Sequence, residues 1–139
     1  LSQDVDIYEG ETAAETVVRM LQNNGYSVDY TGNYETGFYL ARISSESNFV
    51  TGNIPEDLRT KLEEHGFEIY DFTPNSLGDY DFTKGSGWMY QVNGVYPNYG
   101  LSDYCFQNGD TLRLRFTLAY GADIGQDMTG GSDNWGYEW

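Results

Sequence analysis

The stretch TAAETVVRMLQNNGYSVDY, residues 12–30, decides the fold, because its hydrophobic period changes from helical to extended within a few residues. Thr12 followed by Glu15 is a capping-box pattern, in which the hydroxyl meets the amide three residues on and the carboxylate reaches back. Ala14, Val17, Val18 and Leu21 then fall at i, i+3, i+4 and i+7, so one face of a helix over about 12–24 is apolar. Gly25 supplies the left-handed residue that ends it, and Tyr26, Val28 and Tyr30 alternate as a strand does. An amphipathic helix that runs straight into a strand must lie across a sheet. The fold class is therefore α+β.

Working outward, Val5 to Glu9 alternates before the helix and residues 37–43 alternate after the first strand, giving the order strand, helix, strand, strand. A second, short helix is expected over about 55–65. Pro55 suits its first turn, Glu56 and Asp57 complement its dipole, Leu58 and Leu62 face inward, and Gly66 stops it. The Gly66 stop leads into an alternating segment through Ile69. Residues 71–87 read as a loop or an edge excursion. Trp88 to Val92 is a strand, Asn93-Gly94 is a hairpin turn, and Val95-Tyr96 starts the return before Pro97. After a turn at 108–110, Thr111 to Leu118 alternates strictly, with Leu112, Leu114, Phe116 and Leu118 inward.

At 139 residues the chain can bury a core without staples, and 1–139 reads as one domain. Twenty-two acidic residues against 7 basic ones give a net charge of −15, which opposes nucleic acid and anionic membranes as partners. No apolar run is long enough to insert into a membrane. The one cysteine, Cys105, cannot close an internal disulfide. The composition, low in Cys and Lys and rich in Asp, Asn, Gly and Tyr, is common in secreted or cell-surface proteins of bacteria.

The string SGWMYQVNGVYPNYGLSDY (86–104), followed by NGDTLRL (108–114) and GADIG (121–125), resembles a family of bacterial surface domains of unknown function. That family is similar in turn to the C-terminal β-domain of the vitamin B12 carriers transcobalamin and intrinsic factor. The resemblance implies a β-grasp-like mixed sheet packed on one main helix, with residues about 44–84 an insertion. It also implies an extracellular module of a larger surface protein of Gram-positive bacteria, with that protein's other domains as partners. In the carriers the corresponding domain closes over one face of the corrin. A cobalamin-type ligand would then meet the strand of Trp88 and the loop at 97–100. Many relatives carry an acidic residue where this chain has Ala119, two before Gly121.

Candidate ligand contacts are Trp88, Tyr90, Tyr96, Asn98, Tyr99 and Tyr104. Trp88 and Tyr90, two apart, share a strand face, while Met89 and Val92 cannot both lie on it. The expectation set against an aromatic core places Met89 and Val92 with the helix stripe, leaving the aromatics outward, covered by a ligand or by the acidic, Gly-rich segment 122–139 with Trp135 and Trp139. Tyr and Asn on a loop carried by a rigid sheet suit a small planar molecule or a glycan. Asp123 and Asp127, in a Gly-rich run, are the best carboxylate pair for calcium, against the plainer reading of a solvated acidic surface. His65 at a helix end reads as a cap, and no base stands near Cys105 in sequence, so a non-catalytic binding module is expected rather than an enzyme.

Overall fold

The computed structural model describes residues 2–97, 99–125 and 135. Helix α1 spans Ala13–Asn23 and α2 spans Glu56–Glu64; the strands are β1 (Tyr26–Thr31), β2 (Tyr39–Ser45), β3 (Ser76–Gly78), β4 (Gly87–Val92) and β5 (Leu112–Thr117). The α+β class and both helices stand as the sequence predicts. The Thr12 half of the capping box is in place: Thr12 Oγ1 accepts from the Glu15 amide at 3.3 Å and donates to Tyr34 O at 2.8 Å. Gly25, at φ 85°, bonds back to Gln22 O at 3.1 Å and closes the helix.

The strands form two small antiparallel sheets, ordered β1-β2-β3 and β4-β5, rather than one continuous mixed sheet. Parallel pairing among the described residues is confined to a bridge between Gly85 and Ala119. What keeps the sheets apart is visible at β2, whose edge toward β4 is taken up by β3 and by Asp79, whose amide donates to Ala41 O at 3.2 Å. The approach is so close that a Cβ on Gly78 would stand 2.4 Å from Ala41 O, so only glycine fits there.

Three more expectations fail. Val5 to Glu9 forms no strand: Arg19 of α1 reaches across to donate to Asp6 O at 2.7 Å and lies 4.6 Å from the Tyr8 ring centroid, holding this segment by side-chain contacts instead of a ladder. Ile69 likewise lies outside any strand. The Asn93-Gly94 turn does form, with φ 53° and 82°, yet Val95 makes only an isolated bridge back to Val92. Pro97, lacking an N–H, closes off that return after two residues. Asn93 instead ties itself to the later chain, its amide donating to Thr111 O at 2.8 Å and its Oδ1 accepting from Thr111 N at 2.9 Å. That clamp sets the register in which β5, not residues 95–96, lies along β4.

Two apolar clusters fill the interior. The α1 stripe packs with Phe38, Leu40, Ile43 and Leu101, while Leu58 and Leu62 of α2 pack with Ile54, Phe82, Phe116 and Leu118. Residues 44–84 therefore supply half of the second cluster, through Ile54, Leu58, Leu62 and Phe82. Trp88 touches both clusters and joins them.

Candidate functional site

The register of the β4-β5 ladder corrects the face assignment made from sequence. Trp88 stands opposite Phe116, Tyr90 opposite Leu114 and Val92 opposite Leu112, so Val92 shares the face of the two aromatics and only Met89 and Gln91 lie on the other. That shared face turns inward. Trp88 is half-buried, its Nε1 donates to Leu77 O at 2.9 Å, and its ring meets Phe116 edge to face at 5.2 Å. The arithmetic of period two decides this, since Trp88 and Val92 are four residues apart.

The opposite face is also covered, by the segment after β5. Arg115, buried, donates from Nη1 to Tyr96 OH and to Ile124 O, both at 3.0 Å, and Tyr96 OH donates to Ile124 O at 2.7 Å. Tyr96 is thus a bridge between the loop and residues 122–124, separated from the other predicted contacts. Burial raises its phenol pKa, and the neighbouring guanidinium works against that rise.

Three of the predicted residues do come together. Tyr90 OH donates to Tyr99 O, fixing the loop on the sheet, and the Tyr99 ring stacks on Tyr104 at 5.1 Å with 25° between planes. Tyr104 OH donates to Asp110 Oδ2 at 2.6 Å, and the same carboxylate accepts from the Gln107 amide at 2.9 Å and, through Oδ1, from Asn93 Nδ2 at 3.0 Å. These bonds hold the Asp110 carboxyl below the usual carboxylate range, the Gln107 amide contributing most. Bonding to that carboxylate pushes the Tyr104 phenol up to about 12, and burial does the same for Tyr90. The outer ring, Tyr99, remains 39% exposed. An exposed ring held in a stack offers apolar surface to a planar group, and Asp103, exposed and next to Tyr104 in the chain, offers an acceptor.

Asp123 is fully buried at the start of a 3-10 turn over Ala122–Ile124, where it accepts from Thr117 Oγ1 and, at 2.8 Å, from the Leu118 amide. Its oxygens therefore brace the end of β5. Among the described residues no group of three or more His, Cys, Asp or Glu could hold a metal ion. Asn98 and Asp127 lie outside the described residues, as does Trp139. Trp135 packs not on Trp88 but on α2, 4.7 Å from the His65 ring and 5.5 Å from Lys61 Nζ, with its amide donating to Ala122 O at 2.9 Å. His65 Nδ1 lies 2.9 Å from Lys61 O, at the helix end where a cap was expected. Cys105 is exposed.

Two cavities flank Trp88. One of about 50 Å³ lies between the facing edges of β2 and β4, and one of about 300 Å³ lies beside β5, walled by Phe49, Phe82, Trp88 and Phe116. Sequence reasoning found Trp88 but missed the larger cavity. Its signal was the pair Arg113 and Arg115, two of only 7 basic residues, on one strand.

The model of a family described as a domain of unknown function (DUF4430) matches residues 64–117, from the end of α2 through β5. The match spans the aromatic stack, Trp88 and the β4-β5 ladder, and stops short of Asp123. No curated protein and no solved structure matches the chain.

Proposed function

We propose that the chain is a non-catalytic, extracellular binding module of a bacterial surface protein that engages its ligand on the Tyr99-Tyr104 platform. The observation that carries this reading is the stack itself: Tyr90 OH holds the Tyr99 backbone, Asp110 holds the Tyr104 hydroxyl, and Tyr99, stacked on Tyr104, stays exposed. Side chains locked in place before binding lose little entropy on association, which is the usual design of a recognition surface. Resemblance to the β-domain of the B12 carriers puts a corrinoid first among ligand classes. Such a ligand exceeds the cavities beside Trp88 and would lie flat against Tyr99 from outside.

A second reading, glycan binding, is favoured by Asp103, an exposed carboxylate next to the platform that suits sugar hydroxyls. One experiment separates the two. Proton–nitrogen correlation spectra of the chain are recorded with cobalamin and, separately, with soluble cell-wall oligosaccharides. Shifts confined to Tyr99, Gly100 and Tyr104 with one ligand, lost in Tyr99→Ala, support the corresponding class. An unchanged spectrum with both, at concentrations of roughly 10 mM or at saturation, removes the platform as a small-ligand site.

A further inference from the structure

The cavity of about 300 Å³ beside β5 is lined by four consecutive residues of that strand, 113–116. Neighbours along a strand point to opposite faces, so a cavity that meets all four lies against the edge of the strand. It is the edge away from β4. The Asn93 amide donates to Thr111 O at 2.8 Å, and with the register that sets Trp88 opposite Phe116 this turns the backbone of Arg113 and Arg115 toward β4 and that of Leu114 and Phe116 outward. Leu118, next in the outward series, follows the same rule: its amide donates to Asp123 Oδ2 at 2.8 Å and its carbonyl accepts from Thr83 Oγ1. Among the described residues no hydrogen bond reaches the amide or carbonyl of Leu114 or Phe116. Two donors and two acceptors, on residues about 7 Å apart along the strand, therefore face the cavity unpaired.

We propose that this open edge takes up an extended segment of a partner protein as an added antiparallel strand, one of whose apolar side chains enters the cavity beside Trp88 and Phe82. An extended chain carries donors and acceptors at the spacing of β5, whereas a helix has bonded its own internally. The site is recessed: Phe116 is buried, and residues 49–51 and 53 help complete the lining. A second copy cannot bring its own β5 there, because that strand lies behind the same residues, and the pairing would set a net charge of −15 against −15. A single strand, free on both sides, can enter. Arg113 and Arg115 project to the face opposite Trp88 and Phe116 and are already engaged, so what the added strand meets on its inner side is aromatic and aliphatic. Beyond the cavity lies the surface of a chain with 22 acidic and 7 basic residues, which selects basic flanks. The cavity shares no residue with the Tyr99 platform.

The probe is a short peptide of alternating Val and Thr with two lysines at each end, added to the intact chain and followed by proton–nitrogen correlation spectra and amide hydrogen exchange. At roughly 1 mM peptide the amides of Leu114 and Phe116 are expected to shift and to exchange at least about tenfold more slowly, while Tyr99 and Tyr104 stay unmoved. In an antiparallel pair the Val amides make the bonds, because the Val side chains then share the apolar face of Leu114 and Phe116. Peptide N-methylated at Val should therefore lose at least about tenfold in affinity, and peptide N-methylated at Thr should bind as the parent peptide does. Equal binding of the Val-methylated and parent peptides overturns the proposal, since capture of an apolar side chain without strand pairing would then explain it. Exchange at Leu114 and Phe116 that the peptide leaves unchanged also overturns it. So do shifts at those two amides that grow with protein concentration alone, which would point to a second copy.

Discussion

The indole of Trp88 meets the ring of Phe116 edge to face, 5.2 Å between centroids and 65° between planes, across the ladder that joins β4 to β5. This pair is where the α1 cluster and the α2 cluster touch, because Trp88 packs against both and Phe116 belongs to the second. Trp88→Ala should therefore cost about 3 kcal/mol or more, the lower part of the range for a large aromatic since the ring is only half-buried. Trp88→Phe keeps the edge-to-face contact but leaves Leu77 O without its donor, and should cost about 1–2 kcal/mol. Urea unfolding followed by circular dichroism measures both. Equal stabilities for Trp88→Ala and the parent chain would mean that the two clusters do not depend on this ring.

What the sequence made legible, and what it hid, divides along the range of the interactions. The α1 boundaries, the α2 cap at His65 and the alternation of Leu112 to Leu118 are local, set by residues within one or two turns of each other. The failures are all questions of partner. Val95-Tyr96 is strand-like, but Asn93 clamps Thr111 from 18 residues away, and the strand beside β4 becomes β5. Asp123 looks like one of many solvated carboxylates until β5 is in place and Thr117 and Leu118 turn their donors to it. Among the aromatics the sequence named five site positions, of which the fold gathers Tyr90, Tyr99 and Tyr104, sends Tyr96 to Arg115, and sets Trp88 inward.

Asp123 offers a sharp test of the buried polar brace. Removing its carboxylate leaves the Leu118 amide and the Thr117 hydroxyl buried without an acceptor, and each stranded donor costs about 1–3 kcal/mol. Asp123→Ala should lose several kcal/mol by thermal or urea unfolding, and Thr117→Val should also be costly, because Thr117 Oγ1 accepts from the buried amides of Ala119 at 3.2 Å and Gly121 at 2.7 Å. An Asp123→Ala variant as stable as the parent chain would show that the Asp123 oxygens contribute little to the end of β5.

Tyr80 carries backbone strain on a surface site. It sits at φ 68° and is 71% exposed, in a turn clasped by Asp81, whose Oδ2 accepts from Arg42 Nη1 at 2.8 Å and from the Gly78 amide at 2.9 Å. A left-handed non-glycine residue costs on the order of 1 kcal/mol, and glycine adopts that region freely. Tyr80→Gly gives back part of that gain through the greater freedom of the unfolded chain, so a net stabilisation of about 0.5 kcal/mol is expected. A drop in melting temperature would show that the exposed ring makes contacts worth more than the strain. Asp81→Asn, by contrast, should destabilise by about 1–2 kcal/mol through the weakened charge-assisted bond to Arg42, discounted for the partial exposure of both partners.

The Tyr104-Asp110 bond makes stability depend on pH at both ends of the scale. Asp110 has a folded pKa below its ordinary value, so the folded state favours its carboxylate. Its contribution is complete above the ordinary carboxylate range and is lost as pH falls through that range toward the depressed folded value. Tyr104 runs the other way. Its phenol is pushed up to about 12, so its contribution is complete below the ordinary tyrosine value and is lost as pH rises from there to about 12. Asp110→Asn should flatten the acid limb of a plot of melting temperature against pH, and Tyr104→Phe the alkaline limb. In an alkaline titration read by phenolate absorbance, Tyr39, Tyr90 and Tyr104 should ionise as a late class near 12, and Tyr104→Phe should remove one member of it. If Tyr104→Phe leaves that class undiminished, the hydroxyl is not bonded to Asp110 in solution, and the platform under Tyr99 loses its anchor.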